Sequence, residues 1–429
     1  MDISIFLYIA CFLLVALLST RLMKIIKLPN VTGFIITGII MGPFVFGLLF
    51  NNFTYDNIDN SSIYKFVNSL SWVSQVALGF IAFSIGTSFK RQTIKSVGKR
   101  VVVITILEAL GASILVIASL FVLYAIFPDK IKIELVLTLS AIAAATAPAA
   151  TLMVIKQYRA EGPLVNTLLP VVALDDAAAL ILFAVLFQIA TNLAGGGDFS
   201  FYAMLIKPLL EIIISIAIGA VLGLVIVFMN KFFKSRNNRL VIVIFSIFAA
   251  LGLYFLFKNE WLGGFELSSL LMCMMAGALY ANLREDSYRT FDVLDRFTSP
   301  IYMFFFVLSG ASLDLRVFFN EEGLLILGIA AVYIVSRVIG KWFGAFSGAA
   351  LTKCEPQVKK YLGFALVPQA GVAIGLATNA AKLFGENPAT QETGALVMAI
   401  VLTSTLIYEL IGPLAAKYAL SKAGEIKEE

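Results

Sequence analysis

Residues 135–190 decide the fold. They hold Ser140-Ala141-Ile142-Ala143-Ala144-Ala145-Thr146-Ala147-Pro148 and, after a short polar turn, Val172-Ala173-Leu174-Asp175-Asp176-Ala177-Ala178. Both parts are apolar over membrane length, which for a helix takes about 20 residues. The first is broken by a proline, which removes a backbone donor and frees carbonyls in the turn before it. Thr146, Thr151 and that opened backbone can then offer oxygens to a hard monovalent cation. The second carries two adjacent carboxylates roughly a dozen residues into an apolar run, at a depth where charge is expensive. A helix end at the interface would explain such charges cheaply, but the position rules it out. Neighbours on a helix point about 100° apart, so one aspartate can meet a buried cationic side chain while the other faces a water-filled cavity. The pair reads as a cation and proton site that other helices position, neutralise or move.

The rest of the chain supplies those helices. Of its 429 residues 60% are hydrophobic and 14% charged, against about 25% charged in soluble domains. Apolar runs of membrane length recur from end to end, which predicts an all-α polytopic membrane protein and excludes soluble and fibrous classes. About thirteen spans are expected, near 3–22, 31–50, 68–89, 101–126, 134–156, 164–193, 203–230, 239–257, 265–283, 299–315, 323–350, 361–384 and 392–416. Residues 1–22 read as a retained first span, not a cleaved leader. Most of the 32 basic residues fall in the loops after odd-numbered spans. The positive-inside rule therefore puts the amino terminus outside and the carboxyl terminus in the cytoplasm. A net charge of +5 carried in short loops implies no nucleic-acid partner. There is no histidine, so the usual near-neutral proton carrier is missing. No glycine-rich nucleotide fingerprint occurs, and no cofactor is expected.

A faint internal repeat organises the spans. The third ends Gly86-Thr87-Ser88-Phe89 and the tenth ends Gly310-Ala311-Ser312-Leu313. The fifth breaks at Pro148 and the twelfth at Pro368-Gln369-Ala370-Gly371. Partners seven spans apart run in opposite directions across the bilayer, which predicts two inverted-topology six-helix repeats with crossing discontinuous helices. Breaks at matched places in two halves point to a transporter site.

Further charges lie inside the membrane. Lys341, between Gly340 and Gly344, is expected to pair with Asp175, because a buried carboxylate needs a partner and glycines admit a close neighbour helix. Arg337 lies one turn earlier on nearly the same face. It reads as a structural ion-pair member, with Glu108, Glu211 and Glu409 as candidate partners.

The whole chain resembles the monovalent cation/proton antiporter superfamily, particularly its second family of bacterial sodium/proton antiporters. The landmarks are Leu28-Pro29, Gly33, Gly42-Pro43, Phe83, Gly86, the Thr146–Pro148 break, Asp175-Asp176, Lys341, Pro368–Gly371 and Glu409-Leu410-Ile411-Gly412-Pro413. The resemblance implies a homodimer in the bacterial inner membrane. It divides the chain into dimerisation helices at 1–92 and 237–318, a transport core at 93–195 and 319–420, a linker helix at 196–236 and a cytoplasmic tail at 421–429. It also implies that Asp176 binds the cation with Thr146, that Asp175 pairs with Lys341, and that Ala147, Pro148, Thr151, Pro368, Gln369 and Gly371 line the site. Ala147 stands where many relatives carry a polar or acidic residue, which leaves fewer ligands there. Sodium or lithium exchange for protons is expected, by elevator-type alternating access. If Lys341 also released its proton, two protons would move per cation and transport would be electrogenic. The alternatives are potassium/proton exchange and an organic-anion carrier on a similar fold. An intramembrane aspartyl protease is excluded, because adjacent aspartates cannot face each other as a catalytic dyad.

Overall fold

The computed structural model describes residues 3–47, 62–87, 89, 91–128, 130–194, 201–258, 267–312, 323–385 and 390–426. Ser88 and Leu313 of the repeat signature, and the start of the expected linker, lie outside them. The described residues form helices α1 (Ile3–Ile25), α2 (Asn30–Met41), α3 (Ser62–Ser69), α4 (Ser71–Gly86), α5 (Arg91–Ile126), α6 (Ile133–Ile142), α7 (Pro148–Gln157) and α8 (Pro163–Leu193). They continue as α9 (Lys207–Phe232), α10 (Arg236–Lys258), α11 (Ser269–Leu283), α12 (Ser287–Ala311), α13 (Gly323–Leu351), α14 (Pro356–Ala365), α15 (Gly371–Gly385) and α16 (Gln391–Lys422). Single π turns at Pro43–Gly47 and Tyr202–Ile206 complete the set.

Seven of these helices contain stretches long and apolar enough to cross a bilayer: Phe6–Ile25, Gly98–Ile126, Pro163–Leu193, Lys207–Phe232, Arg236–Phe257, Gly323–Leu351 and Gln391–Lys422. Helices α3 and α4 pass the same test together, bent by 41°. The fifth and twelfth expected spans are each two half-helices. Residues 143–147 separate α6 from α7, and residues 366–370 separate α14 from α15. The tenth span departs most from expectation, since α12 begins at Ser287 and not near 299. Its first turns carry Arg289, Asp292 and Arg296, which apolar length alone reads as loop, yet Arg296 and Asp292 pair at 3.1 Å one turn apart.

The chain divides into two compact units. The first takes Met1–Ser96 and Leu210–Asp314, the second Val97–Leu209 and Leu315–Glu429. In the first, α2 packs on α12 and α4 on α11. In the second, α8 lies along α6, α13 along α14, and α16 along α15. Its core includes Val116, Leu139, Phe183, Tyr333, Val397 and Ile400. Every site residue expected from the sequence belongs to the second unit, apart from Glu211.

Candidate functional site: two interrupted helices around a buried ion cluster

Helix α7 starts where the sequence predicts, with Pro148 at its first turn, where a missing N–H costs nothing. Residues 143–147 before it run extended or turn-like, and so do residues 366–370 before Gly371 opens α15. Backbone groups freed by two such breaks must find partners, because no water competes in hydrocarbon. They find each other. The Ala147 amide donates to the Pro368 carbonyl at 2.9 Å. Gln369, fully buried, donates from Nε2 to the Ile142 carbonyl at 3.0 Å and meets the Tyr333 hydroxyl at 3.1 Å. Thr151 donates to the Ala365 carbonyl at 3.2 Å.

Arg337 binds three further carbonyls. Its Nε donates to Ala143 O at 2.9 Å, Nη2 to Ala145 O at 2.7 Å and Nη1 to Val367 O at 2.8 Å. Those carbonyls follow the last turns of α6 and α14, so the guanidinium sits at two helix C-termini, where dipole and orphan acceptors both favour a cation. The Tyr408 ring covers it, 4.6 Å from guanidinium carbon to ring centre. The fork clamps backbone, and Glu108, one of its expected partners, is bound to Lys341. Glu409 is buried on α16 and Glu211 lies on α9.

Lys341 is fully buried and directs its ammonium at three groups. Nζ lies 2.7 Å from Glu108 Oε2, 2.9 Å from Asp175 Oδ2 and 2.6 Å from Thr146 Oγ1. Glu108 and Asp175 are equally buried at 0%, and Asp176 is 7% exposed. Glycines on both sides bring these groups together. Between α5 and α13, a methyl at Gly340 would lie 2.5 Å from the Gly111 carbonyl, and one at Gly344 would strike the Leu107 carbonyl and sit 2.6 Å from Glu108 Cα. Such backbone contact between helices is what small residues permit. One oxygen each of Glu108, Asp175 and Asp176 (Oε1, Oδ1 and Oδ1) is buried without a hydrogen-bond partner. Thr146, expected as a cation ligand, here accepts from Lys341.

A second contact holds the site helix from its end. At the close of α16 the chain turns through Gly424 at φ +74°, a left-handed conformation glycine adopts without penalty. The turn carries Glu425 back to the N-terminus of α8. There Oε1 accepts from Leu164 N at 2.6 Å and Oε2 from Val165 N at 2.9 Å, while the Glu425 carbonyl accepts from Glu161 N at 3.1 Å. A carboxylate on orphan N–H groups at a helix start is doubly favourable.

Sequence reading missed Tyr333, Glu425 and the true partner of Glu108. Tyr333, Arg337 and Lys341 stand four residues apart on one face of α13, a spacing that flags all three. Glu425 carries no such signal, since a polar tail looks alike whether docked or free.

The family model described as sodium/hydrogen exchanger, transmembrane, matches residues 11–417. No curated protein sequence matches. Among solved structures, the electron-microscopy map of the sodium proton antiporter MjNhaP1 from Methanocaldococcus jannaschii is similar, with 18% identity, a TM-score of 0.72 and all of both chains covered. The structure of MjNhaP1 at pH 8 gives 17% identity, a TM-score of 0.68 and 98% of each chain covered. At that identity the likeness speaks for the fold alone. With the family model spanning nearly its whole length, this chain belongs to the sodium/hydrogen exchanger family, whose members are multi-pass membrane antiporters and not enzymes.

Proposed function

We propose that this protein exchanges sodium, or lithium, for protons at the Asp175–Asp176 pair by elevator-type alternating access. The observation that carries the reading is the buried carboxylate of Asp176, with an oxygen that lacks a partner, one residue from an aspartate bound to Lys341. Such a group invites either a proton or a small cation, and the two exclude each other. A bare carboxylate near the bilayer centre costs at least roughly 2.5–3.5 kcal/mol, so the core moves readily only when loaded. That asymmetry favours exchange over leak.

The finer features follow the same reading. Thr146 and the interrupted segments at Ala147, Pro148 and Thr151, and at Pro368, Gln369 and Gly371, line the path of the ion. Transport is electrogenic, two protons against one cation. The chain works as a homodimer in the bacterial inner membrane, amino terminus outside and carboxyl terminus in the cytoplasm. The segments 1–92 and 237–318 form the dimerisation part, and 93–195 with 319–420 the moving core.

Reconstituted protein with a trapped pH dye tests this. Sodium or lithium added to wild-type proteoliposomes drives proton movement, and Asp176→Asn abolishes it. Wild-type exchange by that variant removes Asp176 from the mechanism, and a response to potassium alone replaces sodium as the substrate.

A further inference from the structure

Glu108 has a place in the cycle that its sequence position does not announce. An ammonium has three N–H donors and no acceptor. Lys341 aims at three oxygens, those of Glu108, Asp175 and Thr146, all within 2.9 Å. Nζ is the donor in all three contacts, the arrangement of a charged lysine. Three carboxylates (Glu108, Asp175 and Asp176) against one ammonium leave the buried cluster with two formal negative charges in excess. Glu108 and Asp175 share Lys341 through one oxygen each, and their other oxygens, Oε1 and Oδ1, lie buried without partners. Their bound oxygens lie 2.7 and 2.9 Å from the same Lys341 Nζ. One proton between them supplies the missing donor, and a hydrogen bond between an acid and a carboxylate is among the strong ones.

Resting on the exchange reading above, we propose that Glu108 is a second proton carrier: it shares one proton with Asp175 over the Lys341 ammonium and releases it when a cation takes the aspartate pair. The charges balance. In the proton-loaded form one proton lies on Asp176 and one between Glu108 and Asp175, and with Lys341 charged the cluster is neutral. Cation entry breaks both O–H bonds, expels two protons and adds one positive charge. Lys341 stays protonated throughout. The second proton of an electrogenic cycle therefore comes from a carboxyl pair and not from the lysine.

The test is the coupling ratio of wild type, Glu108→Gln and Glu108→Asp in proteoliposomes, read as the cation gradient that just balances an imposed proton gradient. At zero potential a proton gradient of about tenfold balances a cation gradient of about a hundredfold in the wild type and about tenfold in Glu108→Gln. Glu108→Asp restores the wild-type ratio. A wild-type ratio kept by Glu108→Gln overturns the proposal and leaves the exchange reading standing. A wild type without sodium-dependent proton movement overturns both. Infrared difference spectra of the wild type on sodium addition need no variant to fold: loss of protonated carboxyl signal from two groups supports Glu108, and loss from one overturns it.

Discussion

The amide of Ala147 donates to the carbonyl of Pro368 at 2.9 Å, tying the first broken helix to the second across more than two hundred residues of sequence. Arg337 closes the same junction from the side, one carbonyl on the second break and two on the first. The crossing is thus a joint of one main-chain hydrogen bond and several side-chain donors on main-chain carbonyls. It leaves the cluster around Lys341 as the place where charge can change.

Removing that clamp is expected to be costly. Arg337→Ala leaves three buried carbonyls without a charged donor, at about 1–3 kcal/mol each before relaxation. A net loss above roughly 3 kcal/mol is expected, seen as a lower melting temperature in detergent. Arg337→Lys falls between, because a point charge cannot reproduce the planar fork. A lysine variant melting like wild type sinks the clamp.

The contact between α5 and α13 predicts a sharp contrast along one helix. Gly344→Ala drives a methyl into the Leu107 carbonyl, whereas Gly328 has nothing within 4 Å of the same added atom. Overpacking costs about 1–3 kcal/mol. Gly344→Ala should lose that much stability and weaken exchange, since it moves Lys341 away from Glu108. Gly328→Ala should leave both unchanged or gain about 0.5–1 kcal/mol from helix propensity. Equal melting of the two variants contradicts the close approach.

Glu425 is expected to act as a cap on the site helix. Glu425→Ala removes both acceptors from the first turn of α8 and costs about 0.5–2 kcal/mol. Glu425→Gln keeps an acceptor and loses only the charge opposite the helix dipole, about 0.3–1 kcal/mol. Amide hydrogen exchange at Leu164 and Val165 should accelerate in the alanine variant. Unaltered protection at both amides shows that the tail is not seated there.

Asp286, in the turn between α11 and α12, gives a pH-dependent prediction outside the membrane spans. Partial burial pushes its carboxyl up, but the hydrogen bond and charge of Arg239, at 2.7 Å, and then of Arg284, at 3.2 Å, outweigh it and hold it below the usual carboxylate range. A depressed folded value stabilises above the unfolded one, and that benefit is lost as pH falls through the folded value. Asp286→Asn should therefore lower stability near neutrality by less than about 1 kcal/mol, as for a pair still reached by water. The difference should vanish in acid. A constant difference at all pH values points to packing instead of charge.

Apolar length and composition made the membrane class plain, and the helix-breaking chemistry of Pro148 and Pro368 placed both interruptions to within a few residues. Depth in an apolar run marked Asp175, Asp176 and Lys341 as charges needing a reason. Those are local properties: a proline lacks its N–H, and a carboxylate is costly in hydrocarbon, whatever packs nearby. The start of α12 was less legible, because an amphipathic turn of charged residues resembles a loop when only hydropathy is read. Which charges meet was decided by the tertiary structure alone. Glu108 reaches Lys341, 233 residues away, because glycines let α5 and α13 touch backbone to backbone with one particular rotation about their axes. Arg337 binds carbonyls because two helix ends converge beside it, and Glu425 caps α8 because a glycine turns the tail back. A sequence states each residue's cost of burial, but the partner that offsets it depends on how helices distant in the chain are turned toward one another.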